Sequence, residues 1–147
     1  MNVPYPLTQL LNCVGQEINR VRRVLYAMPN GAVSRDGPIE VNFASGTTLL
    51  LDAGPDGEEL RVTTSAWVDP FSEPLSPANR TFVEEEGKWM AFDVSKETPF
   101  SHLIRQSVLS VSPVTAPGGK LVGALFQTSA GALHIKVKAD ELTVSVS

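Results

Sequence analysis

The sequence predicts an α+β domain, predominantly antiparallel β, built as two related β-meander halves that are each preceded by a short helix. The first observation behind this is internal repetition. A shift of ninety positions lays Val14, Gln16, Ile18, Val21 and Val24 over Ile104, Gln106, Val108, Val111 and Val114. Further on, Ser45-Gly46 before an apolar run corresponds to Ala130-Gly131 before another, and Glu59-Leu60-Arg61-Val62 to Glu141-Leu142-Thr143-Val144. The second observation is a series of β-branched runs separated by turn residues. The third is a segment between the copies, rich in aromatic and turn residues, that has no counterpart. We therefore read residues 1–147 as one domain, with the repeat at 7–64 and 97–147 and an inserted helix-strand segment at 65–96.

Residues 7–14 are apolar at helical spacing (Leu7, Leu10, Leu11, Val14), and Gly15 is a stop. The turns Pro29-Asn30-Gly31, Asp36-Gly37-Pro38, Ser45-Gly46 and Pro55-Asp56-Gly57 then delimit strands at about 16–26, 39–44, 47–53 and 58–64. In the insert, Ser76 caps, Pro77 takes the first helical position and Gly87 ends a helix, after which residues 88–94 read as a strand. The second half opens on Thr98 as cap, Pro99 at the first helical position and an apolar face of Phe100, Leu103 and Ile104. Strands follow at 107–114, 121–128, 132–138 and 142–146, with Pro117-Gly118-Gly119 as the first turn. In the last strand Leu142, Val144 and Val146 point inward and Thr143, Ser145 and Ser147 outward, one packed face and one wet. The two halves either extend one sheet or face each other.

With 147 residues, 42% hydrophobic and 19% charged, and a mean hydropathy of +0.01, the chain has the composition of a globular domain that can bury its own core. A single cysteine, Cys13, excludes an internal disulfide; its apolar setting marks a buried thiol, and a reducing, cytoplasmic location is expected. The start Met1-Asn2-Val3-Pro4-Tyr5-Pro6 lacks a basic, apolar leader, and no window reaches the ~20 apolar residues of a membrane span.

Charge is unevenly spread. Residues 1–35 hold Arg20, Arg22, Arg23 and Arg35 against Glu17, whereas residues 36–86 hold eleven acids against Arg61 and Arg80, a balance of −9. An acidic middle and a pI near 5.1 argue against a nucleic-acid partner. Arg20 and Arg22 share a strand face; on an edge strand they would serve solubility or pair with the acidic middle.

No motif specifies a reaction. His102 and His134 lack companions at metal-ligand spacing and read as packing or surface residues. Ser101 or Ser129 with a histidine and Asp93 would make a triad only on paper, for neither serine stands in a strand-to-helix elbow. Asp52-Ala53-Gly54-Pro55-Asp56-Gly57 lacks the ligand series of a calcium loop. A carboxylate pair for glycoside hydrolysis stays open, although 7% aromatic residues is meagre for a sugar groove. No cofactor is expected.

The acids with the insert's aromatic residues make the candidate partner surface: Asp52, Asp56, Glu58 and Glu59 around one hairpin, and Trp67, Asp69, Phe71 and Glu73 beside it. Aromatic anchors ringed by charge are the usual makeup of a binding hot spot. Trp89 and Phe92, by contrast, are expected to plug the core between the halves. Solvated, merely solubilising acids are the plain alternative reading.

The β-meander layout, the acidity, the tryptophan-bearing middle and the phrase Gly87-Lys88-Trp89 resemble bacterial immunity proteins that accompany polymorphic toxins. The resemblance implies a non-catalytic protein, monomer or homodimer, that binds a basic toxin domain and blocks its active site. Two other functions stay open: a small-ligand or carbohydrate domain with its site between the halves, and a structural subunit of an assembly.

Overall fold

The computed structural model describes residues 5–147; the first four residues, part of the start read above, lie outside the described residues. In chain order come helix α1 (Tyr5–Leu11), strands β1 (Ile18–Ala27), β2 (Ile39–Phe43), β3 (Thr48–Ala53) and β4 (Leu60–Thr63), helix α2 (Pro77–Glu86) and strand β5 (Lys88–Asp93). A single 3-10 turn (Phe100–Leu103) follows, and then β6 (Ser110–Thr115), β7 (Leu121–Gln127), β8 (Ala132–Lys138) and β9 (Glu141–Val146).

The fold is mostly antiparallel β in two sheets, ordered β4-β3-β2-β1-β5 and β6-β7-β8-β9. Alternation decides what each strand buries. In the first sheet Val21, Ile39, Val41, Leu49, Leu51, Leu60 and Val62 enter one hydrophobic cluster, and in the second Val111, Ala124, Phe126, Leu133, Ile135, Val137 and Leu142 enter the same cluster. The sheets therefore face each other over a shared core, with Leu10, Cys13 and Leu103 closing one end.

The two four-stranded meanders have the same register. Val21 pairs with Val41 and Val41 with Leu49, as Val111 pairs with Phe126 and Phe126 with Leu133. At the outer ladder Ala53 pairs with Leu60, as Val137 pairs with Leu142. The segments that precede β1 and β6 bond to each other. Ile18 N–H donates to Gln106 O (2.9 Å) and Val108 N–H to Gln16 O (3.0 Å), while Gly15 N–H reaches Val108 O and Arg105 N–H reaches Ile18 O, both at 2.7 Å. Each bond has its partner ninety positions on, around the Glu17–Ser107 bridge. Gly15 (φ 87°) and Arg105 (φ 69°) turn the chain the same way.

Several expectations are corrected. α1 stops at Leu11 rather than Val14, because the left-handed Gly15 sends its N–H across to Val108 O rather than back along a helix. The helix expected after Thr98 is only a 3-10 turn: Thr98 makes no cap bond, and four residues allow no α-helical ladder. β6 begins at Ser110 rather than Ser107, since the residues before it are occupied with the Gln16–Ile18 segment. β1 is no edge strand: β5 of the insert pairs along it from Arg22 to Ala27. The insert thus extends the first sheet. α2 forms as expected, with Asn79 N–H donating to the Ser76 hydroxyl (3.1 Å), but buries no residue.

Trp89 and Phe92 do not act together. Three residues apart on one strand, they point to opposite faces: Phe92 packs against the core, and Trp89 stays 43% exposed, edge-on to Tyr26 at 5.5 Å between ring centres.

Candidate functional site

The residues between Val21, Arg23, Ile39 and Val41 point away from the core, and there the first sheet carries an ion pair. Glu40 is fully buried, gripped by Arg22 through Nε to Oε1 (2.8 Å) and Nη2 to Oε2 (2.6 Å). The Asn42 amide (2.8 Å) and Trp67 backbone N–H (2.9 Å) also donate to it. Burial alone would raise this carboxyl; the Arg22 bonds, with those from Asn42 and Trp67, outweigh it and hold the pKa at about 2. Arg22 Nη2 also reaches Trp67 O (3.4 Å), so the pair ties the start of the insert to the sheet. The arginine strand thus pairs with the acidic middle, in the way its charge pattern suggested.

Held there, Trp67 becomes one wall of a cleft of about 630 Å³. Val24 and Trp89 supply the rest of the apolar wall, Asp36-Gly37-Pro38 of the β1–β2 connection one rim, Asp52 the floor, and Asp140-Glu141-Leu142 of the β8–β9 hairpin the opposite rim. The two rims meet where Gly37 N–H donates to Leu142 O (3.2 Å). Gly37 has to be glycine, since a Cβ there would stand 2.1 Å from Val24 O. Arg23 braces the connection from inside: 6% exposed, it donates from Nη2 to Arg35 O (3.3 Å) and Gly37 O (3.4 Å).

The cleft is therefore walled by two tryptophans and four carboxylates, and no lysine or arginine lines it. Asp52 is half-buried, and burial raises its carboxyl, opposed by its bond to Ala53 N–H and by the charge of Arg61. Asp140 and Glu141 form no salt bridge among the described residues.

Of the eight residues singled out from sequence, the structure brings Asp52 and Trp67 into this cleft. Asp56 accepts from Glu58 N–H (2.9 Å) at the exposed β3–β4 turn. Glu58 and Glu59 face Lys120 of the opposite sheet, at 2.5 and 3.9 Å. Asp69 accepts from Lys88 Nζ at 2.6 Å, Phe71 stacks on Phe82 at 5.5 Å, and Glu73 pairs with Arg80 at 3.4 Å. These last form a separate patch whose charges are internally matched. Asp36, Trp89, Asp140 and Glu141 were missed as site residues. The signal available for two of them was the repeat, which aligned Glu141 with Glu59 and would align Asp140 with Glu58 one position earlier.

Among the described residues no group of three or more potential ligands is arranged to hold a metal ion, and no helix is long and apolar enough to cross a membrane. Comparison with protein-family models, with curated proteins and with solved structures gives no match.

Proposed function

We propose that the chain is a duplicated β-meander that works as a non-catalytic binding protein, taking a basic protein partner in the cleft between its halves, in the manner of a toxin-neutralising immunity protein. One observation carries this reading: a cleft lined by four carboxylates and two tryptophans, with no lysine or arginine in its lining. Such a surface attracts a cationic partner over distance and offers aromatic faces on contact. The matching ladder registers and the paired bonds about Glu17 and Ser107 support the duplication.

The test is capture of the tagged protein's partner from its own host, followed by the same experiment with Asp36→Lys and Glu141→Lys together. The expected partner has a basic binding face, and the double reversal weakens its affinity at least tenfold while leaving the thermal midpoint in place. Undiminished capture by the reversed variant would sink this reading.

A second reading, a free organic cation in the same cleft, is favoured by the raised Asp52 carboxyl within a volume suited to a small ligand. Capture of a bound amine metabolite in place of a protein would select it.

A further inference from the structure

The molecule has a second cleft, of about 470 Å³, related to the first by construction. It is walled by Pro113 and Thr115 of β6, the Gly118–Leu121 connection to β7, and Glu59-Leu60 at the start of β4. Each cleft thus joins the first connection of one meander to the start of the last strand of the other. The pairing of Ala53 with Leu60 and of Val137 with Leu142 sets Glu58-Glu59 and Asp140-Glu141 in corresponding positions.

The two acid pairs differ in what they hold. Glu58 and Glu59 seat the ammonium of Lys120, 2.5 and 3.9 Å away, and hydrogen bonding to Glu58 raises the lysine's pKa. No lysine lines the first cleft, whose connection carries Asp36 instead, and Lys138, opposite Glu141 on the β8–β9 ladder, forms no ion pair with it; Asp36 and Asp52 add charge there, and Trp67 and Trp89 add flat apolar walls. One cleft contains an ammonium in place, and its counterpart has a like acid pair, more negative charge and free volume.

We propose that the first cleft binds a lysine side chain of the partner, its ammonium held by Asp140 and Glu141 as Lys120 is held by Glu58 and Glu59. This rests on the reading of the protein as a binder of a basic partner and adds the recognised group to it. The four-carbon stem of a lysine can lie along the tryptophan rings while its head reaches the acids. A compact ammonium is also the group that the corresponding seat holds, at 2.5 and 3.9 Å from Glu58 and Glu59.

The test titrates the intact protein, at low ionic strength, with acetyl-Gly-Lys-Lys-Gly-amide and with the arginine peptide of the same design. Tryptophan emission and heat are the readouts, since both tryptophans line the cleft. The expected result is a saturable emission change with the lysine peptide, at least fivefold weaker binding of the arginine peptide, and at least tenfold weaker binding of the lysine peptide to Asp140→Asn/Glu141→Gln. Asparagine tolerates the φ of 68° at position 140, and a thermal melt verifies that the variant folds. Glu58→Gln/Glu59→Gln, altered in the other cleft, binds as the parent does. Equal binding of the two peptides overturns the ammonium assignment, and undiminished binding to the Asp140/Glu141 variant overturns the site, while in both cases the reading as a binder of basic partners survives. If neither peptide binds at any concentration up to millimolar, both fall.

Discussion

Arg22 holds Glu40 by two parallel hydrogen bonds, at 2.8 and 2.6 Å, on the face of the first sheet that looks away from the second. Arg22 remains 23% exposed while the Glu40 side chain is wholly covered, so the pair anchors the insert at the surface without being isolated from water. Removing the carboxylate in Glu40→Ala strands the guanidinium and orphans the Trp67 N–H, and is expected to cost about 3 kcal/mol. Urea unfolding measures this, and an unchanged midpoint would show that the pair contributes nothing net.

The same pair gives the protein an acid limb. The Glu40 pKa in the folded chain, about 2, lies below its ordinary 4.5, so the unfolded chain binds the proton more tightly. Its contribution is fully present above the ordinary value, fades as the pH falls toward the folded value, and amounts to about 3 kcal/mol when complete. Stability followed from pH 5 down to 2 is expected to fall more steeply for the parent than for Glu40→Gln, which has no proton to gain.

Asp52 has the opposite sign. Burial raises its carboxyl in the folded chain, so its ionisation opposes folding as the pH rises past its ordinary 3.8. Asp52→Asn keeps an acceptor for the Ala53 N–H and removes the charge. A higher thermal midpoint at pH 7, with weaker binding of a cationic partner, is the expected pair of results, and a lowered midpoint would contradict the first.

Gly37 is the tightest point of the cleft rim. An alanine Cβ would meet Val24 O at 2.1 Å and Trp89 Cζ3 at 3.0 Å, and the first contact is with backbone that cannot turn aside. Gly37→Ala is expected to lose about 2 kcal/mol or more and to change tryptophan emission, because it pushes the β1–β2 connection off the first sheet.

Cys13 is 2% exposed, and burial pushes its thiol up to about 12, opposed only by a hydrogen bond from its own backbone N–H, while the thiol donates to Leu10 O. Thiol reagents at pH 8 are expected to label it only at the rate of global opening, and labelling within seconds in native buffer would disprove its burial.

Much of the fold was legible because its signals are local. β8 runs over the predicted residues 132–138, and Ser76, Pro77 and Gly87 bound α2 as expected, since a cap, a fixed φ and a left-handed stop need no distant partner. The 3-10 turn at Phe100 was misread for the converse reason. Its apolar spacing suits a helix, but Gln106 and Val108 are drawn into pairing with Ile18 and Gln16, residues remote in sequence.

The candidate site was half legible. Charge counting found the acidic middle, and Asp52 and Trp67 within it, but it could not separate Asp69, which Lys88 neutralises, from Asp52, which has no ion pair. Trp89 was assigned to the core because aromatic residues usually belong there; its strand places Phe92 inward and therefore Trp89 outward.

Sequence by itself determined the periods, the turns, the cap and the internal echo, all set by neighbouring residues along the chain. Tertiary structure alone decided which acids are answered. Lys120 reaches Glu58 and Glu59 only because the two sheets pack face to face, and the cleft exists only where residues 36–38, 52, 67, 89 and 139–142 converge. Electrostatic pairing depends on distance through space, and no local pattern in the chain encodes that distance.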